Sequence, residues 1–231
     1  MLEEPRTLTL RPGFARPTTA QIAAFKGVET GFVCDAMGGR GALATVIHPI
    51  HGEDGVQHVV GPALVADNGP REILATMGAL HVLQPGDVVI AATGGHVDSA
   101  AVGDQFCGML RNKGAAALVT DGAVRDVEGI VEAGLPVWAA GLNPNSPYST
   151  GPGRVGYAAD VAGTRIASGD LIVADHNGVV VVPFDRIDIT IAALREVEAL
   201  EAAFEAKVKA GFCEIALIEE MIADGRAVIE E

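Results

Sequence analysis

Residues 103–126 read GDQFCGMLRNKGAAALVTDGAVRD, and the reading of the whole chain turns on them. Gly103-Asp104 opens a helical stretch over 103–113. A short apolar strand, Ala115–Val119, follows and ends in the turn Thr120-Asp121-Gly122. Arg125 and Asp126 then stand at the head of a second short helix, Val127–Ala133, which Gly134 closes. In α/β sheets ligands gather beyond the carboxyl ends of strands, where loops meet. The free N–H groups of a helix start attract anions. Asp104, Arg125 and Asp126 are therefore set to converge on one pocket. Two carboxylates with open water positions suit Mg²⁺ or Mn²⁺, which prefer oxygen ligands. The arginine fork suits a substrate carboxylate. A plain structural reading stands beside this one: acids at helix starts are stabilised by the helix dipole, and Arg125-Asp126 is then a surface pair.

Outward from this block, Val59–Ala66 and Val88–Ala92 read as strands, with a helix between them from Pro70 to Val82. Pro136–Ala140 is a further strand. Residues 141–156 are rich in Gly, Pro and Asn and read as loop. Strand signals cover 161–166, 171–174 and 179–182, with His176-Asn177-Gly178 as a hairpin turn. Near the start, Thr18 or Thr19 caps one short helix and Thr30 a second. An amphipathic helix runs from Asp185 to near Ala210, and another covers Glu214–Ile222. Helices interleaved with strands, then hairpin-like strands, specify an α/β core with helical appendages at both ends. The expected organisation is an N-terminal arm (1–17), a core (18–184) and C-terminal helices (185–231).

The chain has 231 residues, 49% of them apolar, enough for a buried core. Its net charge is −14 and only 4% of residues are aromatic. Such a surface repels phosphate backbones and lacks stacking platforms, so no nucleic acid is expected as partner. The same charge argues against an anionic membrane surface. The start, MLEEPRTLTLRPG, carries acids where a signal peptide needs a basic region, and no apolar run reaches spanning length. The reading is cytoplasmic. Cys34, Cys107 and Cys213 are too scattered for a disulfide framework or a CxxC zinc pair.

Other motifs carry less. GPGRVG (Gly151, Gly153, Gly156) matches GxGxxG but lacks a strand before it and a helix after it. His48, His51, Glu53, Asp54 and His58 fall within eleven residues, without finger or HExxH spacing, and read as solvated side chains. The four lysines, Lys26, Lys113, Lys207 and Lys209, lie in polar contexts that do not favour an imine-forming amine.

At residues 103–126 the chain resembles the RraA-like family, which includes metal-dependent 4-hydroxy-4-methyl-2-oxoglutarate / 4-carboxy-4-hydroxy-2-oxoadipate aldolases. The family's aldolase signature is an Asp, twenty residues, then Arg-Asp. Here it falls on Asp104 and Arg125-Asp126. CDAMG (34–38), GPALV (61–65), PGDVVIA (85–91) and GDLIVADHNGVVVVP (169–183) also match, so the likeness spans most of 20–215. It implies a β/β/α swivelling-domain fold, assembled as a homotrimer or homohexamer with sites between subunits. It implies a small oxo-acid substrate cleaved to pyruvate, with oxaloacetate decarboxylation as a side activity. By the resemblance Asp126 is the metal ligand, Asp104 acts on the water bound there, and Arg125 contacts the pyruvyl group. Backbone amides around Gly103, Gln105 and Phe106 hold the carboxylate. It also implies a glutamate from the C-terminal helix of a neighbouring subunit. At about 100° per residue from Leu194, the apolar positions Val197, Leu200, Phe204 and Val208 span about 240–320° and Leu194 closes the stripe at 0°, so Glu201 at about 340° falls inside it. Glu201 is therefore the first choice and Glu198 the second. Residues 94–103 match the aldolases less closely, which leaves His96 and Asp98 as candidates for the distal substrate end. The alternative within the family is a regulator that docks on a ribonuclease without catalysis. Such regulators are expected to lack the first Asp, which is present here as Asp104. An old methyltransferase label would need a nucleotide site, for which 151–156 is the single Gly-rich candidate.

Overall fold

The computed structural model describes residues 6–51 and 55–230. The chain begins with β1 (Leu8–Leu10), α1 (Thr19–Ala23), α2 (Thr30–Ala36) and β2 (His48–Ile50). The central block is β3 (Val59–Asp67), α3 (Leu74–Val82), β4 (Val88–Ala92), β5 (Ala100–Val102), α4 (Asp104–Asn112), β6 (Ala117–Thr120), β7 (Ala123–Val124), α5 (Val127–Ala133), β8 (Val137–Ala139) and β9 (Gly141–Leu142). Then come β10 (Gly153–Val155), β11 (Ala158–Val161), β12 (Thr164–Ala167), β13 (Leu171–Asp175) and β14 (Gly178–Val182), followed by α6 (Ile187–Lys209) and α7 (Ala216–Ala223). Residues up to Leu194 form one compact unit, and residues 195–231 a second. No helix among the described residues is long and apolar enough to cross a membrane.

The main sheet is built on β3, β4, β6 and β8, all parallel neighbours, with β2 antiparallel at one edge. On its other side β3 pairs first with β13 and then, at Ala66-Asp67, with β10. Strands covered on both faces read as unbroken apolar runs, which is why VVIAA and ALVT are buried throughout. Alternate residues serve two cores. Leu64, Val89, Ala91 and Leu118 meet Ala75, Ala79, Leu110 and Ile130 of the helices α3, α4 and α5. Ala63, Val65, Ile90 and Val119 meet Ala159, Val161, Ile166 and Val181 of the β11–β12 and β13–β14 hairpins. The result is a three-layer mixed α/β fold: helices, parallel sheet, strands.

Three expectations need correction. The helix expected from Pro70 starts at Leu74. Before it, Arg71 takes a positive φ and accepts a bond from Tyr148 N–H, so this stretch pairs with the 141–156 segment instead of coiling. The single strand expected at 161–166 is a hairpin, β11–β12, that turns at Ala162-Gly163. The N-terminal segment is anchored, since β1 pairs in parallel with β10 and Arg16 pairs with buried Asp87. Thr18 does cap α1, with Gln21 completing a capping box. Thr30, however, is the first residue of α2 rather than its cap, and its N–H (2.9 Å) and hydroxyl (2.8 Å) both donate to the Asp175 carboxylate at the β13–β14 turn.

Asp175 thus ties a helix start to a hairpin turn. Burial pushes its carboxyl up, but the bonds from Thr30 and Asn177 outweigh that and hold it below the ordinary value. A depressed carboxyl stabilises the fold above its unfolded pKa of about 3.9, and the contribution is lost as pH falls through the lower folded value. Asp175→Asn should therefore cost roughly 1–3 kcal/mol at neutral pH. The gap to wild type should narrow towards pH 3. Urea unfolding at the two pH values checks this, and a gap that stays constant refutes the carboxylate's role.

Candidate active site

Beyond the carboxyl ends of β4, β6 and β8 the chain forms a second, small parallel sheet, β5–β7–β9. The turn leading to it is pinned by buried Asp121, which accepts from Thr93 N–H (2.6 Å), the Thr93 hydroxyl (3.0 Å) and Gly95 N–H (2.8 Å). Val102 lies opposite Val124, and Val124 opposite Leu142. Arg125 N–H donates to Val102 C=O (3.1 Å) and Asn143 N–H to Val124 C=O (3.0 Å). Gly103-Asp104, Arg125-Asp126 and the segment from Asn143 therefore leave the sheet side by side.

Asp104 is the first residue of α4, and its Oδ1 accepts from Gln105 N–H at 2.6 Å. Its side chain packs on Gly129 of α5, where a Cβ would come within 2.6 Å of both Asp104 Cβ and Oδ2. Asp126 precedes α5 with φ 60° and ψ 50°, a left-handed conformation, and its side chain makes no capping bond. That weighs against the plain helix-cap reading, because an N-cap residue is extended and its oxygen accepts an N–H. Asp126 Oδ2 sits instead 3.4 Å from Arg125 Nε. Gly103 leaves it room, since a Cβ there would lie 2.6 Å from the same oxygen. Behind Asp104, Cys107 is fully buried, and burial followed by the nearby carboxylate pushes its thiol up to about 12. It is a core residue rather than a nucleophile.

Gly103, Asp104, Gln105, Phe106, Arg125 and Asp126 line one cavity of about 260 Å³. All six are residues that the sequence places at the site. Phe106, partly buried, also packs against the helix-side core. Ile73 and Pro147 also line the cavity, and the sequence does not reveal them. Ile73 falls inside an expected helix and Pro147 in an expected loop, and neither position carries a chemical signature. Gly129 is equally silent in the sequence, because its role is visible only once α4 and α5 pack.

The other candidates lie elsewhere. Glu201 is exposed on α6, in the second unit. His96 and Asp98 lie in the turn before β5 and are not among the residues lining the cavity. His48 and His58 each pair a ring nitrogen with a backbone carbonyl, of Val46 and Val28. Glu53 and Asp54 lie outside the described residues. The GPGRVG glycines serve packing: Gly153 N–H donates to Thr7 C=O (2.9 Å), and a Cβ on Gly156 would collide with the Arg11 carbonyl.

The left-handed backbone at Asp126 has a measurable consequence. An L-residue other than Asn or Asp pays about 1–2 kcal/mol for that conformation. Asp126→Ala should lower unfolding stability by about 1 kcal/mol, while Asp126→Gly should leave it level or higher. Urea titrations rank the three proteins, and an alanine variant as stable as wild type would contradict this backbone geometry.

Comparison with known proteins places this site in context. The model of the RraA-like family, described as Aldolase/RraA, matches residues 30–181, which include the whole cavity lining. A Halalkalibacterium halodurans protein named "Putative 4-hydroxy-4-methyl-2-oxoglutarate aldolase" is 30% identical over 202 residues, covering 87% of this chain and 95% of that one. A Burkholderia mallei protein of the same name is 34% identical over 157 residues, 64% of this chain and 92% of its own. Among solved structures, Streptomyces coelicolor RraAS2, titled an unusual member of the RNase ES inhibitor RraA family, superposes with TM-score 0.73 at 26% identity, covering 84% of this chain and 99% of that one. The RNA-processing inhibitor RraA from Thermus thermophilis shares the fold with TM-score 0.61 at 24% identity over 68% and 93% of the two chains. With the family model matched over residues 30–181 and a relative 30% identical over 87% of its length, the chain belongs to the RraA-like family.

Proposed function

We propose that the protein is a divalent-metal-dependent aldolase that cleaves a 4-hydroxy-2-oxo di- or tricarboxylic acid to pyruvate and a second oxo acid. The observation that carries this reading is the meeting of Asp104, Arg125 and Asp126 in one cavity at the start of α4. The names of the curated relatives support the same class.

The donor set fits Mg²⁺ or Mn²⁺. Asp126 offers a half-exposed carboxylate, and no cluster of three or more His, Cys, Asp or Glu is found among the described residues. Mg²⁺ keeps several waters and takes one or two carboxylates, whereas structural zinc needs four protein ligands. When bound, the ion supplies a Lewis acid that polarises the 2-oxo group. The residues do the rest. Arg125 presents its guanidinium to the oxo-acid carboxylate and enolate oxygen, and its donors count most where charge develops. Cleavage takes the proton from the 4-hydroxyl, breaks the C3–C4 bond and leaves pyruvate enolate, whose C3 gains a proton. Asp104 is assigned this proton work. Decarboxylation of oxaloacetate passes through the same enolate and follows as a side activity.

Glu201 of the partner subunit is assigned as the second acid, within a homotrimer or homohexamer. In its support, the stripe around Glu201 is apolar yet uncovered in the single chain: Leu200 is 71% exposed, Phe204 52% and Val208 49%. An exposed apolar face of this kind marks a protein contact. The fold shared with RraAS2 favours the regulator as second reading. Capture of a ribonuclease by protein that releases no pyruvate would reverse the ranking.

Pyruvate release, followed across a panel of 4-hydroxy-2-oxo acids and oxaloacetate, tests the proposal. Release should require Mg²⁺ or Mn²⁺ and fall about 10²–10³-fold in Asp126→Ala. Full activity in that variant sinks the assignment. Gly129→Ala, which displaces Asp104 without touching substrate, should cost about 10- to 100-fold in kcat. Unchanged kcat would remove Asp104 from the mechanism.

A further inference from the structure

Beyond β9 the chain runs through Asn143-Pro144-Asn145-Ser146-Pro147-Tyr148, a segment fastened at both ends. On one side Asn143 Nδ2 donates to Val97 C=O and Asn145 Nδ2 to Asp98 C=O, both at 3.0 Å, and Ala100 N–H donates to Asn145 C=O at 2.9 Å. On the other side Tyr148 N–H donates to Arg71 C=O (2.8 Å), Ile73 N–H donates to Tyr148 C=O (3.0 Å), and the Arg71 guanidinium stacks 4.7 Å over the Tyr148 ring. Between these fastenings the Ser146 hydroxyl accepts from Arg125 Nη1 at 2.9 Å, with Pro144 C=O 3.5 Å from the same nitrogen.

Arg125 is a long, part-exposed side chain, and free arginine loses rotamer entropy when a ligand fixes it. Here three contacts hold it beforehand, Ser146 and, at longer range, the Pro144 carbonyl on Nη1, and Asp126 beside Nε. None uses Nη2. A fixed fork gives geometry as well as charge to carboxylate recognition.

We propose that Ser146 is a positioning residue: borne on the 143–148 strap, its hydroxyl holds the Arg125 guanidinium ready for the carboxylate of a 2-oxo acid. The ligand class rests on the aldolase reading above, whereas the tether itself rests on the geometry. The strap therefore couples the turn before β5 and the segment before α3 to the aim of the substrate-binding arginine.

The test compares wild type with Ser146→Ala and Ser146→Thr. Oxalate, a planar mimic of the pyruvate enolate, is titrated calorimetrically in the presence of Mg²⁺, and kcat and KM are measured for pyruvate release. Ser146→Ala should weaken oxalate Kd and raise KM about 3- to 10-fold, with an unchanged unfolding midpoint because Ser146 is exposed. Ser146→Thr, which restores the hydroxyl, should lie within about twofold of wild type. Wild-type Kd and KM in Ser146→Ala, or a threonine variant as weak as alanine, would overturn the assignment. If wild type binds oxalate but releases no pyruvate from the panel, the aldolase reading fails while the oxalate titrations still decide the role of Ser146. A wild-type protein that does not bind oxalate overturns both.

Discussion

Val102 faces Val124 and Val124 faces Leu142 in a sheet whose strands are two or three residues long, and every chemical feature of the site hangs on that register. Both valines are buried in the helix-side core, so hydrophobic packing fixes which residues pair. In a strand, a slip of one residue sends each side chain to the opposite face. Here it would bury a charged neighbour and separate Asp104 from Arg125-Asp126. The pairing also carries an irregularity: Ala100 and Val102 on β5 are matched by the adjacent residues Ala123 and Val124 on β7. An extra residue of this kind bends its strand and re-aims the chain beyond it. The residues beyond it here are Gly103-Asp104.

That dependence explains which parts of the molecule are legible in the amino acids alone. The candidate site is legible because Asp104 and Arg125-Asp126, which the fold brings into one cavity, stand at a fixed spacing around an apolar strand. The central strands are legible because burial on both faces leaves unbroken runs such as Val88–Ala92. The small sheet is not, since two residues contain no period. Ala123-Val124 looks like part of a turn, and Gly141-Leu142 like the start of a loop. The start of α3 is hidden for a different reason. Pro70 is a good first residue of a helix, but the backbone of Arg71 and Ile73 is engaged by Tyr148, more than seventy residues away. Local propensity loses to a tertiary contact that no window of sequence contains.

The net charge of −14 excludes polyanionic partners yet says little about the cavity. Residues 191–231 hold ten acids against four bases, so six of the net negative charges lie in the C-terminal segment. The cavity itself gathers Arg125 with the start of α4, whose N–H groups carry partial positive charge. Under the proposed reading an anionic substrate would meet Arg125 and these N–H groups, while Asp104 and Asp126 would face the cation. Exposed charges more than about 10 Å away are largely screened at ordinary salt, so the near groups decide.

Two positions in the site break the rules that govern the rest of the fold. Asp126 stands where a helix would take an extended Ser, Thr or Asp with a capping bond, but it is left-handed and leaves the α5 N–H groups without a side-chain cap. Gly129 lies inside a seven-residue helix, where Ala is preferred by about 1 kcal/mol. Gly103, at the head of α4, keeps the ordinary extended conformation of an N-cap, where glycine is accepted. Both departures cost local stability and serve one geometry: Gly129 makes room for the Asp104 carboxylate, as Gly103 does for that of Asp126, and the left-handed turn sets Asp126 beside Arg125. Departures from local preference that agree on one geometry support the reading of this cavity as a site held for binding or catalysis. An ordinary pair of helix-start acids would need none of them.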